Sequence, residues 1–174
     1  MSIYGNARGV SLIELLMYTG ILLLISAVAV SSLIGMSRLY RTIHAAQYIE
    51  SSAQIGMDRI GREVRGATSI DTLQSTLGSS PGVLTLNTTD SAGTAMTVQF
   101  YLSSQTLRMR ENGTDVGPLT GVDVRVTRLL FRRITTSHSE AAKIEMTLES
   151  GSGASYRSKK FYTTAVLRGS YPIE

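Results

Sequence analysis

The sequence predicts an α+β fold in which one long N-terminal helix, membrane-spanning in its first half, packs on an antiparallel β-sheet. Residues 10–37 are apolar over a length that would cross a bilayer, which takes about 20 residues. An apolar stripe with helical spacing continues to residue 66, with no proline to interrupt it. Beyond residue 67 the pattern changes to the alternation that is typical of strands.

The apolar run contains one charged side chain. Between Arg8 and Arg38 only Glu14 carries a charge. An acid placed centrally in a membrane helix costs about 2.5–3.5 kcal/mol on insertion scales, and such residues usually serve a function. Glu14 is therefore the first candidate functional residue, and we expect it to have a partner.

The second part of the helix is predicted from an amphipathic stripe with three- and four-residue spacing. Its members are Leu39, Ile43, Ala46, Ala53, Met57, Ile60, Val64 and Ala67. Glu50 interrupts the series once, and three glycines weaken the second half by up to about 1 kcal/mol each. We expect one helix over about 11–66. The alternative is two helices with a bend near Gly35 or Gly56.

The rest of the chain predicts one antiparallel sheet of five to seven strands. Residues 71–81 are rich in Ser, Thr and Gly and indicate a connection. The segments with strand patterns are 83–86, 96–102, 106–111, 122–134, 144–149 and 161–167. Asn112-Gly113 is a strong hairpin signal, and Gly117-Pro118 and Gly151-Ser152-Gly153 predict further turns. One apolar face of this sheet would cover the helical stripe from Leu39 to Val64.

No arrangement of side chains in the sequence predicts catalysis. The chain has no cysteine, which excludes disulfides and a thiol nucleophile. His44 and His138 lack metal-ligand spacing to other candidate ligands, and Glu111, Asp115 and Asp123 lack the calcium-loop pattern. We therefore expect no catalytic residue, no metal site and no cofactor, and we do not expect an enzyme.

Arginines form the densest basic cluster of the sequence. They are Arg108, Arg110, Arg125, Arg128, Arg132 and Arg133. On alternating strand positions they would make a stripe able to meet DNA phosphates. The alternative is a solvated sheet face balanced by Glu145 and Glu149. Because the net charge of +4 is spread along the chain, nucleic acid is not the expected partner.

The start of the apolar run resembles a known signal. Gly9-Val10-Ser11-Leu12-Ile13-Glu14-Leu15, after a short leader carrying Arg8, resembles the processing signal of type IV prepilins and type II secretion pseudopilins. The resemblance implies that a prepilin peptidase cuts between Gly9 and Val10 and methylates Val10, which stands where the family usually has Phe. It also implies that Glu14, the fifth mature residue, guides assembly.

Such a cut would give Glu14 a partner. The new amine on Val10 would lie one helical turn from Glu14 and would be largely protonated at neutral pH. An ammonium and a carboxylate about 4 Å apart attract by roughly 4 kcal/mol at an effective dielectric of about 20. This attraction is comparable to the insertion cost. The amine could belong to the same chain or to a neighbouring molecule.

Later segments more loosely resemble the larger, J-type minor pseudopilins of type II secretion. They are 60–65, 99–102, 107–111, 118–120 and 126–134. The resemblance implies a pilin fold with a leader over 1–9, a helix over 10–66 (10–37 transmembrane, 38–66 amphipathic) and a sheet domain over 67–174. It implies a structural subunit of a secretion pseudopilus, held in the cytoplasmic (inner) membrane with its C-terminal domain in the periplasm or outside the cell. The implied partners are the prepilin peptidase, sister subunits, the inner-membrane assembly platform and the lipid bilayer.

Other interpretations of the N-terminal segment stay open. Ala27-Val28-Ala29 fits cleavage by an ordinary signal peptidase. The apolar run would also serve as a plain single-pass anchor. The corresponding alternative functions are a minor pilin of a type IV or DNA-uptake pilus, and a membrane-anchored surface β-domain that binds sugar or DNA.

Overall fold

A computed structural model describes residues 11–137 and 139–168 of the chain. It confirms the α+β fold, with one long N-terminal helix and antiparallel strands. Helix α1 spans Leu12–Gly66 as a single helix of 55 residues, as the sequence predicted. The chain divides after Tyr40 into two compact units, and α1 contributes to both.

In the first unit the described residues, 11–40, belong almost entirely to α1, and no strand packs on them. Every residue from 11 to 40 is exposed, including the long apolar side chains. The hydroxyls of Thr19 and Ser31 donate to carbonyls of the preceding turn, Thr19 Oγ1 to Leu15 O at 3.0 Å and Ser31 Oγ to Ala27 O at 2.9 Å. Because these hydroxyls are satisfied inside the helix, the polar residues do not prevent an apolar environment around it.

The second unit contains two antiparallel sheets. The five-stranded sheet has the order β1-β2-β3-β4-β5, formed by Ser69–Ile70, Leu84–Thr89, Ala95–Ser103, Thr106–Glu111 and Thr114–Pro118. The three-stranded sheet has the order β6-β7-β8, formed by Val124–Thr135, Glu140–Ser150 and Arg157–Val166. The prediction of one sheet with five to seven strands was therefore wrong in the number of sheets and in the number of strands.

The sheet divides because a loop occupies the edge of β6. Gly78 N donates to Phe131 O and Gly82 N donates to Leu129 O, both at 2.8 Å. These carbonyls are thus bonded by the connection between β1 and β2 and not by a strand. The two sheets meet where Val126 N donates to Gln105 O at 2.8 Å. Sequence periodicity carries no signal for this choice of partner.

Two of the three predicted turns are found as turns. Asn112 and Gly113 have positive φ angles of 49° and 80° and join β4 to β5, as a type I′ hairpin requires. Residues 151–153 lie between β7 and β8 and lead into a short 3₁₀ helix, Gly153–Ser155. Gly117-Pro118 instead ends strand β5, so its prediction as a separate turn was wrong.

The helical stripe that packs on the sheets differs from the predicted one in its first part. Leu39 and Ile43 are 60% and 48% exposed, and Ala46 is exposed too. The buried residues of α1 are Ala45, Ile49, Ser52, Ala53, Gly56, Ile60, Gly61 and Val64. This stripe passes through Ile49, so Glu50 does not interrupt it. The core combines it with side chains from both sheets, among them Phe100 and Phe131.

Gly56 lies where α1 crosses the junction of the two sheets. A Cβ atom there would be 3.0 Å from Leu107 Cδ2 on β4 and 3.6 Å from Met146 Cε on β7. The missing side chain allows the helix backbone to approach both sheets closely. Close packing therefore explains why a glycine, which lowers helix stability, stands at position 56.

Candidate functional site

Glu14 lies in the first turn of α1 and is exposed. Its Oε1 accepts a hydrogen bond of 3.1 Å from Tyr18 Oη, one turn further along the helix. An acid at this position also interacts favourably with the positive end of the helix dipole. The structure thus gives Glu14 an intrahelical partner that sequence reasoning missed, although the four-residue spacing of Glu14 and Tyr18 would have indicated it.

The other predicted processing residues, Gly9 and Val10, lie outside the described residues. Cleavage between them, methylation of Val10 and the pairing of Glu14 with an amine all stay predictions.

Glu14 stands near the start of a long apolar segment of α1. An 18-residue window of α1 has a mean hydropathy of 2.2, and none of that window is buried. By length and composition this helix is long and apolar enough to cross a membrane. Glu14 is the only charged residue between Arg8 and Arg38. Its hydrogen bond with Tyr18 is therefore the one contact of a charged side chain in this apolar segment of the described residues.

The arginine stripe that the sequence allowed does not form as one surface. Arg108 and Arg110 lie on β4, whereas the other four lie on β6 in the other sheet. Arg108 Nη2 is 2.6 Å from Asp115 Oδ2, and the guanidinium of Arg110 lies 4.2 Å from the centre of the Tyr101 ring. The two β4 arginines are thus engaged on the outer side of the five-stranded sheet.

Two of the three acidic residues considered for calcium, Asp115 and Glu111, are engaged in separate contacts. The hydrogen bond from Arg108 lowers the pKa of Asp115, and Gly117 N donates to its other oxygen at 3.0 Å. Glu111 Oε1 lies 3.4 Å from Arg59 Nη2. Within residues 11–137 and 139–168 no group of three or more His, Asp or Glu residues is placed to hold a metal ion.

Of the two histidines, the structure describes His44, which lies on α1. The His44 ring lies 6.0 Å from the Tyr48 ring, one turn along α1. His138 lies outside the described residues.

Comparison of the chain with protein-family models, with curated proteins and with solved structures found no match.

Proposed function

We propose that this chain is a minor pseudopilin, a structural subunit of a type II secretion pseudopilus that assembles through its N-terminal helix. The observation that carries the proposal is the position of Glu14 in the first turn of a long helix whose first part is apolar and exposed. The sequence around Glu14 supports it, because Gly9 to Leu15 resembles the prepilin processing signal.

The exposed apolar half of α1 needs an environment that the chain itself does not supply. Burying apolar surface is worth roughly 25 cal/mol per Å², so lipid or sister helices would stabilise it. In the proposed function the helix is held in the inner membrane and then packs with helices of other subunits. The carboxylate of Glu14 meets the amine of a neighbouring subunit and sets the register between them.

The two-sheet domain would then lie in the periplasm or outside the cell. It would contact other subunits, while the prepilin peptidase and the inner-membrane assembly platform act on the helical part. The chain would be a substrate of processing and not an enzyme.

A second candidate is a minor pilin of a type IV or DNA-uptake pilus. The same helix and the same signal support it, because both classes of filament use them. A surface β-domain on an ordinary anchor is a third candidate, since the apolar half of α1 would serve as an anchor without cleavage after Gly9.

The N-terminus of the membrane-extracted protein tests the processing step. Intact-mass measurement is expected to give a chain that begins at Val10. A chain that begins at Met1, or one cut after Ala29, would contradict the proposal and favour an ordinary anchor or signal.

Variants of Glu14 test the assembly step. Glu14→Ala and Glu14→Gln are both expected to be cleaved normally and to be lost from the filament, because both remove the charge that attracts an amine. Glu14→Gln retains a group that can accept the hydrogen bond of Tyr18, so it separates the charge from the intrahelical contact. Ser31→Ala is the matched control, since the Ser31 hydroxyl bonds within its own helix. Normal incorporation of Glu14→Gln, measured by immunoblot of sheared filaments, would overturn the role of the charge.

A further inference from the structure

The outer face of the three-stranded sheet carries an ordered pattern of charges. Side chains on this face stand in rows across β6, β7 and β8, because the strands pair in register. The first row is Ile134, Ala141 and Val166, the second is Arg132, Lys143 and Thr164, the third is Leu130, Glu145 and Tyr162, and the fourth is Arg128, Thr147 and Lys160. Two basic rows therefore flank the row that contains Glu145.

The cations of the second row already have an acidic partner. Glu145 Oε1 is 3.2 Å from Lys143 Nζ and 3.8 Å from Arg132 Nε. The Glu145 side chain is mostly covered, whereas those of Arg132 and Lys143 are more exposed. Much of the positive charge of this row is thus offset inside the sheet face.

The cations of the fourth row, Arg128 and Lys160, lack such an acidic partner in the part of the chain that the structure describes. Among the ion pairs of the described residues, none involves Arg128 or Lys160. Both residues are exposed, and their strands lie on either side of β7, about 10 Å apart. Between them is a groove of about 140 Å³ that Glu145, Thr147 and Tyr162 also line. The Glu145 carboxylate is already offset by its ion pair with Lys143, so it does not use the charge of Arg128 or Lys160. Two side chains as long as these can converge on one anionic group in that groove.

The remainder of the face has the composition of a protein interface. Tyr162 is 60% exposed beside the groove, and Ile134 and Val166 are exposed in the first row. Tyrosine and arginine are enriched at the energetically important positions of protein interfaces. The face thus combines an apolar end, an exposed aromatic ring and, at the groove, two cations that form none of these ion pairs.

We propose that this outer face docks a protein surface of mixed charge, with a carboxylate of the partner received between Arg128 and Lys160. Charge complementarity favours a protein over nucleic acid. Glu145 stands between the basic rows, and Glu149 lies beyond the fourth on the same strand, so a polyanion would meet repulsion where a mixed-charge protein surface finds a match. DNA-binding proteins with about 6–10 phosphate contacts also use more cations than the described residues of this face leave outside the ion pairs, namely Arg125, Arg128 and Lys160.

The identity of the partner rests on the proposed function: if the chain is a filament subunit, the partner is a neighbouring subunit. Subunits held together by their helices have a high effective concentration, so a weak contact between domains is sufficient. The docking chemistry itself can be measured without any filament.

The test uses the full chain in lipid nanodiscs and, as the probe, a fluorescent peptide in which glutamates alternate with lysines, so that it carries the mixed charge of the proposed partner. Peptide binding is followed by fluorescence anisotropy at low salt. The double variant Arg128→Gln/Lys160→Gln is expected to weaken binding by at least about fivefold, as the loss of two surface charge contacts implies. The matched control is Arg62→Gln/Arg65→Gln, which removes the same charge from exposed positions on α1 and is expected to change binding less than about twofold.

Three outcomes would overturn the proposal. Equal losses in the two double variants would show attraction by net charge alone. Absence of peptide binding would show that the face does not accept carboxylates. Tighter binding of a short DNA duplex that depends on Arg128 and Lys160 would assign the face to nucleic acid. Glu14→Ala is expected to bind the peptide normally, so a failure of the assembly role and a failure of the docking face give different results.

Discussion

The two halves of α1 belong to one helix but differ in what surrounds their apolar side chains. From residue 11 to residue 40 every residue is exposed. From Arg41 onward, apolar and small residues at three- and four-residue spacing are buried against both sheets, as at Ile49, Ile60 and Val64. The first half is the more apolar of the two, yet it contributes nothing to the core of the described domain.

This difference shows that apolar content and burial within a chain are separate properties. A helix that packs on its own sheet needs apolar residues on one face only. A helix that is apolar on all sides is buried in lipid or among other helices. The second half of α1 therefore depends on the sheets for its stability, and the first half depends on its environment.

The largest effect is expected when one isoleucine in each half of α1 is shortened to alanine. Ile60→Ala leaves a cavity in the core and is expected to lower the free energy of unfolding of the domain by about 2–5 kcal/mol. Ile25→Ala, at an exposed position, is expected to change it by less than about 0.5 kcal/mol. Urea denaturation of the full chain in detergent, followed by circular dichroism, measures both. Equal losses would mean that the first half also packs on the domain.

The sequence predicted the length of α1 but placed the first part of its buried stripe wrongly. A three- and four-residue series can be drawn through Leu39, Ile43 and Ala46 or through Ala45 and Ile49, and both series are apolar. Only the position at which the sheets begin to cover the helix decides between them. That position depends on contacts between residues far apart in sequence, so periodicity alone does not supply it.

The second test adds a side chain to each half. Gly56→Leu would force atoms into Leu107 and Met146, and overpacking of this kind is expected to cost about 1–3 kcal/mol of unfolding free energy. Gly35→Leu is the control, because nothing lies within 4 Å of a Cβ atom at that position. The same denaturation experiment applies. An unchanged stability of Gly56→Leu would contradict the close approach of α1 to the junction of the sheets.

The candidate sites were predictable to different degrees. Glu14 was found from the sequence because a lone acid in an apolar run is conspicuous, and its bond to Tyr18 follows a local spacing. The arginine stripe, which the sequence allowed as one of two alternatives, does not form because Arg110 and Arg128 are on different sheets, which no local pattern reveals. Arg128, Thr147 and Lys160 stand in one row across three strands. This alignment depends on the strand register, which only the structure gives.

The smallest expected effect concerns a polar contact between the packed half of α1 and strand β8. Lys159 Nζ forms an ion pair with Glu50 Oε1, and the two side chains are 55% and 53% exposed. Exposed pairs are worth about 0.2–1 kcal/mol, because water and salt screen the attraction. A double-mutant cycle with Glu50→Gln and Lys159→Gln is therefore expected to give a coupling energy in that range, and a lower one at about 1 M salt.

The control for this cycle is Glu50→Gln with Lys160→Gln. Lys160 follows Lys159 in β8 and so points to the opposite face of the sheet, where no coupling with Glu50 is expected. The cycle also removes the effect of the contact between Lys159 and the Phe161 ring, since that contact is lost equally with and without Glu50. A coupling above about 2 kcal/mol that salt does not reduce would show that the pair is shielded from water. The packed half of α1 would then be held to β8 by charge as well as by its apolar stripe.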